Sequence, residues 1–284
     1  MNIRNLYRAY LTALILLLTQ GTLGATVKLS DNLFILYGGG GKGANVGIIV
    51  SPSSLIVIDT MVSDSRDLLL KELSAISDKE VSLVLNTHDH FDHSGNNHYF
   101  SGKQVDIIRS IDFDGTSNKF IAFQGELVIK QNERIIKGYN VRSHSNSDIL
   151  YHLPEDNAVF LGDIYTDEWY PSFFSGGIEG QVAAIEKALS LGDENTRYIP
   201  GHGKIASRDD LQRYSRLCVS WHDRIVALHK QGLSPSDMTK DQQLRKIRES
   251  FANEKTNREN FDRWFEKLVE NTLNSHLSLS SSAH

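Results

Sequence analysis

Thr87-His88-Asp89-His90-Phe91-Asp92-His93 carries metal-type donors in the spacing H-x-H-x-D-H, directly behind the apolar run Val81-Ser82-Leu83-Val84-Leu85. Neutral imidazole nitrogens and carboxylates are the donors that borderline-soft divalent cations take, zinc above all. Neighbouring side chains diverge, so a stretch this short does not comfortably wrap four donors round one tetrahedral ion. The spacing suits a divergent display. His88 and His90 point to one ion, and Asp92 and His93 to a second ion close by. Such a loop is half of a site, and the chain must supply the other half from elsewhere.

Three more donors stand in the same kind of place. His144 follows Asn140-Val141-Arg142-Ser143, Asp163 follows Val159-Phe160-Leu161-Gly162, and His202 follows Tyr198-Ile199-Pro200-Gly201. Each is expected immediately beyond a strand, where loops at one sheet edge converge and sites on layered folds are built. Glycines beside Asp163 and His202 let the backbone turn and bring the donor in. The other histidines, His98, His152, His222, His229, His276 and His284, lack this setting and are read as structural or solvated.

The rest of the chain is an ordinary globular sequence of 284 residues, with 40% hydrophobic and 23% charged residues. A formal charge of −5 and the lack of a lysine- or arginine-rich block argue against a nucleic-acid partner. Arg4 and Arg8, the apolar run Ala9 to Thr19 and the small residues Gly21 to Ala25 read as a cleaved signal peptide over residues 1–25. The apolar run is too short to span a bilayer, which leaves no membrane association after cleavage and a periplasmic or secreted protein. The single cysteine, Cys218, excludes an intramolecular disulfide and is read as a small packing residue.

From Leu33 the pattern is β, with a hairpin Val46–Val50 and Leu55–Asp59 across Ser51-Pro52-Ser53-Ser54. Gly38 to Gly43 resembles a phosphate loop only superficially, because Gly43 follows Lys42 where Ser or Thr is needed on magnesium. It is read as a flexible loop that can overhang a site. Asp64 to Ile76 is an amphipathic helix, and Asp112 to Gly125 reads as irregular. Ser207 with Asp210 starts a helix that ends at Gly232. One final helix is expected on the stripe Phe261, Trp264, Phe265, Leu268 and Val269. Residues 26–210 are thus a main domain and residues 211–284 a helical extension packed on it.

His88-x-His90-x-Asp92-His93, His144-Ser145-x-x-Asp148, Leu161-Gly162-Asp163 and Pro200-Gly201-His202-Gly203 together resemble the successive motifs of the metallo-β-lactamase superfamily. Val57-Ile58-Asp59-Thr60 resembles its opening motif. The resemblance implies an α/β, four-layer αβ/βα sandwich with two Zn²⁺ at one edge of its sheets. It implies His88, His90 and His144 on the first ion, Asp92, His93 and His202 on the second, Asp163 bridging, and Asp59 orienting a ligand imidazole. Arg142-Ser143 replaces the proline-glycine common before the third histidine, and Ser147 replaces a glycine before Asp148; both touch the lip of the pocket. The bridging position is Asp163 where one lactamase subclass has cysteine.

Two zinc ions, two carboxylates and one bridging hydroxide leave a net charge of about +1 and bring the pKa of the bound water to about 7. The reading is an exported dizinc hydrolase in which Asp92 acts with the metal-bound hydroxide on the carbonyl of an ester, lactone, thioester or amide, β-lactams among them. Iron or manganese are the alternative metals. The rival functions are an iron-dependent redox enzyme on the same fold and a non-catalytic zinc-binding envelope protein. Trp169, Tyr170 and Phe173 shortly after Asp163 are candidates for an apolar substrate wall, with packing against the appended helices as the alternative. The partner is a small-molecule substrate; oligomeric state is open.

Overall fold

The computed structural model describes residues 26–112, 120–131 and 134–281; the expected signal peptide and His284 lie outside them. β1 (Thr26–Lys28), β2 (Leu33–Leu36), β3 (Val46–Val50) and β4 (Leu55–Ile58) form an antiparallel run. Every residue of β4 is buried, and its side chains alternate between two clusters: Leu55 and Val57 on one face, Ile56 and Ile58 on the other. That is the period of two of a strand covered on both sides. Beyond β4 the pairing turns parallel, which requires crossovers. α1 (Arg66–Ile76) supplies the first before β5 (Val81–Leu85), and α2 (Phe91–Ser94) with α3 (Asn97–Gly102) supplies the second before β6 (Asp106–Ser110).

The sheet ends at β7 (Phe120–Phe123), giving seven strands in the order β1-β2-β3-β4-β5-β6-β7. This corrects the irregular reading of Asp112 to Gly125. β7 is the apolar run Phe120-Ile121-Ala122-Phe123, a short edge strand with two exposed residues at its centre.

The second sheet has five strands, in the order β12-β11-β10-β9-β8: β8 (Glu126–Gln131), β9 (Arg134–Asn140), β10 (Ile149–Leu153), β11 (Ala158–Thr166) and β12 (Arg197–His202). All pairs are antiparallel except β11 with β12, which α4 (Gly177–Ser190) connects. Ile56, Ile58, Leu83 and Leu85 of the first sheet meet Ile149, Tyr151, Phe160 and Ile199 of the second in one buried cluster. Leu69, Leu73 and Phe100 of α1 and α3 cover the outer face of the first sheet. Helices on both outsides and two sheets within make the four-layer αβ/βα sandwich expected.

The chain ends in helices: α5 (Arg208–Lys230), α6 (Pro235–Met238), α7 (Gln242–Glu249), α8 (Arg258–Arg263) and α9 (Phe265–Ser281). α5 starts on a full capping box, with Ser207 Oγ accepting from Asp210 N at 3.2 Å and Asp210 Oδ2 accepting from Ser207 N at 3.1 Å. The single final helix expected from the aromatic stripe is two helices, with Trp264 at the joint and 44% exposed. Phe261 and Phe265 lie on opposite sides of that joint, and both are buried. Among the described residues no helix is long and apolar enough to cross a membrane.

These helices share one hydrophobic cluster with β10, β11, β12 and α4, which contains Val159, Leu161, Tyr198, Leu211, Trp221, Phe261 and Val269. Cys218 is fully buried in the same cluster, in the packing role expected of it. Trp221 is fully buried and donates its indole N–H to Thr272 Oγ1 at 2.9 Å, joining α5 to α9. Trp221→Ala should lower unfolding stability by about 3–5 kcal/mol in urea titrations, since it removes a large buried ring and its hydrogen bond to Thr272. A loss below about 1 kcal/mol would show that this cluster is not what holds the helices on the sheet.

Candidate metal centre

The loops after β4 and β5, the turn between β9 and β10, and the ends of β11 and β12 meet at one edge of the two sheets. Backbone bonds fix their mutual positions. Asp59 N donates to Leu85 O at 2.8 Å, Thr60 N to His93 O at 2.7 Å, Ile149 N to Thr87 O at 2.7 Å, and Asn45 N to Gly201 O at 2.7 Å. Two donors sit differently from expectation. Asp163 lies inside β11, and His202 is the last residue of β12, so neither stands beyond its strand. What aims Asp163 is an irregularity: the β11–β12 register shifts on both sides of Gly162, which has φ +53°. A Cβ on Gly162 would also lie 2.9 Å from the Thr87 side chain.

The donors fall into two groups. His88, His90, His144 and Asp163 form one; Asp92, His93 and His202 form the other, each with ligand atoms within 4.8 Å of one another. In the first, His90 Nδ1 is 3.0 Å from His88 Nε2 and 2.9 Å from His144 Nε2. In the second, His202 Nε2 is 3.0 Å from Asp92 Oδ2. Asp163 reaches both: Oδ2 is 3.7 Å from His144 Nε2, while Oδ1 is 3.3 Å from His93 Nε2 and 3.6 Å from His202 Nε2. All seven residues singled out in the sequence are therefore brought together, in the two groups expected.

Outer hydrogen bonds decide which nitrogens face inward. Asp59 accepts from Thr87 N at 2.8 Å and from Thr87 Oγ1 at 2.7 Å, and its Oδ2 is 2.8 Å from His93 Nδ1. Nδ1–H of His93 is thereby committed to Asp59, so Nε2 is the nitrogen turned towards the centre. That atom and Asp163 Oδ1 are both buried, face each other, and have no hydrogen bond. His144 Nδ1 similarly faces Ser172 O at 2.8 Å and Ser172 Oγ at 2.7 Å, which leaves Nε2 as an acceptor. Buried ring nitrogens and a carboxylate oxygen that face one another in this way are donors that a cation between them would hold together. The residues of each group fit a metal ion.

The field agrees. Burial, reinforced by His93 and His144, drives His88 well below the usual imidazole range, and burial with His144 lowers His90; both stay neutral, the form that ligates. Burial opposes charge on His93 too, but Asp163 and Asp59 outweigh it and hold His93 well above its usual range. Burial likewise works against ionised Asp163, and His202 and His93 overcome it, keeping its carboxyl well below the usual range. Anionic Asp163 is thus stabilised where positive charge is to sit.

The turn that carries His144 is built on Asp148, whose carboxylate accepts from Ser143 N at 3.1 Å and from Ser145 N at 2.9 Å. Ser147, in place of the expected glycine, donates its hydroxyl to Asp89 Oδ1 at 2.8 Å. This substitution ties the His144 turn to the histidine loop.

A cleft of about 730 Å³ opens beside Asp163 and His202, lined also by Trp169, Ser172, Tyr37 and Gly38 to Gly40 among others. The glycine loop does overhang the site. Asn45 fixes its foot by accepting from Gly38 N at 3.1 Å and donating to Pro200 O at 3.0 Å and Gly203 O at 2.9 Å. Of the three aromatic candidates only Trp169 lines the cleft. Tyr170 and Phe173 are corrected: they are 0% and 1% exposed, inside the cluster shared with the C-terminal helices. Tyr170 stacks on Phe261 at 4.2 Å and donates its hydroxyl to Phe261 O at 2.6 Å, so it has no face left for a ligand.

Ser172, Asn45 and the polar cleft residues Lys204, Lys255, Asn257 and Asn260 were not singled out from the sequence. Lys204, two positions after His202, could have been found from the motif; the others are brought in by tertiary packing alone. Of the histidines set aside, His222 and His276 meet across α5 and α9 with Nε2 and Nδ1 3.2 Å apart, away from the two groups.

Residues 39–202 match the family described as Metallo-beta-lactamase superfamily. A probable hydroxyacylglutathione hydrolase of Schizosaccharomyces pombe is 24% identical over 51% of this chain and 57% of its own length. The hydroxyacylglutathione hydrolase of Dictyostelium discoideum is 27% identical over 47% of this chain and 53% of its own. The chain thus spans little more than half the length of these curated relatives. A probable metallo-hydrolase of Methanocaldococcus jannaschii is 24% identical over 62% of this chain and 95% of its own. Among solved structures, a metallo-beta-lactamase from Pontibacter korlensis shares the fold with TM-score 0.60 at 16% identity, covering 68% of this chain and 98% of that one.

Asp59→Asn should weaken metal binding about 10–100-fold in a chelator competition, because the amide cannot accept from both Thr87 and His93. Unchanged metal affinity would remove Asp59 from the site. Gly201→Ala should cost bound metal more severely, since its Cβ would collide with Asp163 Oδ1 and sit 2.7 Å from His93 Cε1; elemental analysis of the purified variant reads this.

Proposed function

Because the chain belongs to the metallo-beta-lactamase superfamily and its relatives there are hydrolases, we propose that it is a dizinc hydrolase of small acyl compounds, exported by its N-terminal leader. The single observation that carries the dizinc reading is the reach of Asp163, whose two oxygens approach His144 on one side and His93 and His202 on the other. One carboxylate serving both groups supports a single centre of two ions rather than two unrelated sites. In this reading His88, His90 and His144 hold the first ion, Asp92, His93 and His202 the second, and Asp163 both. When bound, such ions act as Lewis acids that polarise a carbonyl and bring the pKa of water to about 7.

The chain's own residues do the rest. Asp59 and Ser172 fix the tautomers of His93 and His144, so their Nε2 atoms stay directed inward. Asp92 Oδ2, beside His202 Nε2, is the carboxylate oxygen placed to take a proton during turnover. Trp169 gives the cleft an apolar wall, and the glycine loop limits access of bulk water from the opposite side. The relatives named as hydroxyacylglutathione hydrolases favour a thioester among the carbonyl compounds the site admits.

The test is metal analysis of purified protein, followed by thioester, ester, lactone and β-lactam substrates assayed with and without chelator. Two zinc ions per chain are expected, one for each donor group, with turnover lost to the chelator and restored by zinc. His202→Ala or Asp92→Ala should cut kcat/KM by at least about 100-fold, beyond the 10–100-fold expected of outer partners, while the far-ultraviolet circular dichroism stays unchanged. Less than one metal per chain with no turnover on zinc addition would overturn the proposal. Iron at full occupancy with no hydrolysis would favour the redox reading of the same ligands.

A further inference from the structure

The C-terminal helices hold a pair of histidines that the metal centre does not use. His222 of α5 and His276 of α9 are 54 positions apart in sequence, and both lie beyond the stretch 39–202 that matches the family. Nε2 of His222 faces Nδ1 of His276 at 3.2 Å, and the rings meet edge to face with centroids 5.1 Å apart. Two nitrogens bound at about 2.0–2.1 Å to one tetrahedral zinc ion stand roughly 3.3–3.4 Å from each other. The pair is already spaced as two donors to one ion would be.

Outer contacts orient the pair as they orient ligands. His222 is 8% exposed, and its Nδ1 lies 3.0 Å from Asp223 Oδ1. A carboxylate thus holds the far side of the ring, the usual outer partner of a ligating imidazole, and Nε2 is the nitrogen turned to His276. Burial and His222 lower His276 below the usual imidazole range against the opposing pull of Glu179, which favours the neutral form that ligates. The backbone beneath both rings is fixed. Trp221, next to His222, donates to Thr272 one turn before His276, and Ser275 Oγ donates to Phe174 O at 3.0 Å. Leu279 closes on the start of α4, where a Cβ at Gly177 would stand 2.5 Å from Leu279 Cδ1.

A pocket of about 330 Å³ opens beside the pair, lined by His222, His276, Thr272, Ser275 and, from the first turn of α4, Glu179. It has room for the water ligands that an ion held by two protein nitrogens needs, and Glu179 adds negative charge. This pocket shares no lining residue with the cleft beside Asp163 and His202.

We propose that His222 and His276 form a further cation site, for a divalent transition metal of the imidazole-preferring class such as zinc, and that the ion clamps α9 onto α5. Two protein nitrogens bind more weakly than the fuller donor sets of the centre, so this site fills on titration after the centre is occupied. The inference is independent of the hydrolase reading.

The experiment uses full-length protein with its centre loaded and excess metal removed by gel filtration, titrated calorimetrically with Zn²⁺ and, in parallel, with Mg²⁺. Wild type should take up one further Zn²⁺ per chain, and Mg²⁺, which prefers oxygen ligands, should give no step. His276→Gln should weaken that step by about 100-fold or more, beyond the 10–100-fold expected of an outer partner, with the metal content of the centre unchanged. His276 is only half-buried, so this variant keeps the fold, and His222→Gln repeats the test from the other helix. Amide hydrogen exchange along α9 should slow on zinc addition in wild type and stay unaltered in His276→Gln.

A bare hydrogen bond between the two rings gives the same separation and no response to metal. No further Zn²⁺ in wild type, an equal step in wild type and His276→Gln, or a step that Mg²⁺ reproduces would each overturn the site. Zinc bound through both histidines without slower exchange along α9 would overturn the clamp.

Discussion

The structure depends on a buried set of imidazoles and carboxylates turned towards one another, with His93 Nε2 and Asp163 Oδ1 left without a hydrogen bond. Asp59 takes the proton-bearing side of His93, Ser172 takes that of His144, and the freed nitrogens turn inward towards Asp163 and towards each other. In a dry protein interior such an arrangement is costly unless positive charge enters it. The fold accepts that cost because paired strands hold most of the members: β4 and β5 are interior to the first sheet, β11 is interior to the second, and β12, at the edge of the second, is paired with β11 and shares the cluster of the C-terminal helices. Five loop and strand-end segments are tied by backbone bonds, so the two donor groups are preorganised.

The polar centre is set between apolar layers that leave little freedom. The cluster between the sheets fixes their spacing, and the bulge at Gly162 turns Asp163 out of the β11 pattern into the gap between the two donor groups. Gly201 allows the final histidine loop to lie directly against that carboxylate. Small residues matter here for closeness of approach. A methyl group would stand where the ligand atoms are.

Much of this was legible in the chain. The seven donors were named from local spacing, because metal ligation restricts residue type and each donor lies beside an apolar strand run; Asp59 came from the family resemblance. The four layers followed from the resemblance those motifs carry. What could not be read was whatever long-range packing decides. Tyr170 and Phe173 stand in the same short aromatic run as Trp169, and only the arrival of α5, α8 and α9 determines that two are core and one lines the cleft. β7 escaped notice although Phe120-Ile121-Ala122-Phe123 is apolar throughout, because a run of four does not by itself separate a strand from a loop. Trp264 kept helical spacing across a joint between two helices, since spacing registers the stripe and not the break. Lys255 and Asn257 have no local mark at all; the bonds from Asn253 and Thr256 to Asp167 and Glu168 give them their place.

Tyr170 bonds to Phe261 across 91 positions of sequence, and Asn253 to Asp167 across 86. Contacts of such separation form late, after the loop entropy between them has been overcome. The donors from His88 to His202 are all synthesised before the segment that walls the cleft. Both donor groups are thus complete in the chain at His202, whereas the cleft beside them gains its far wall only from residues about fifty positions further on, Lys255 to Asn260.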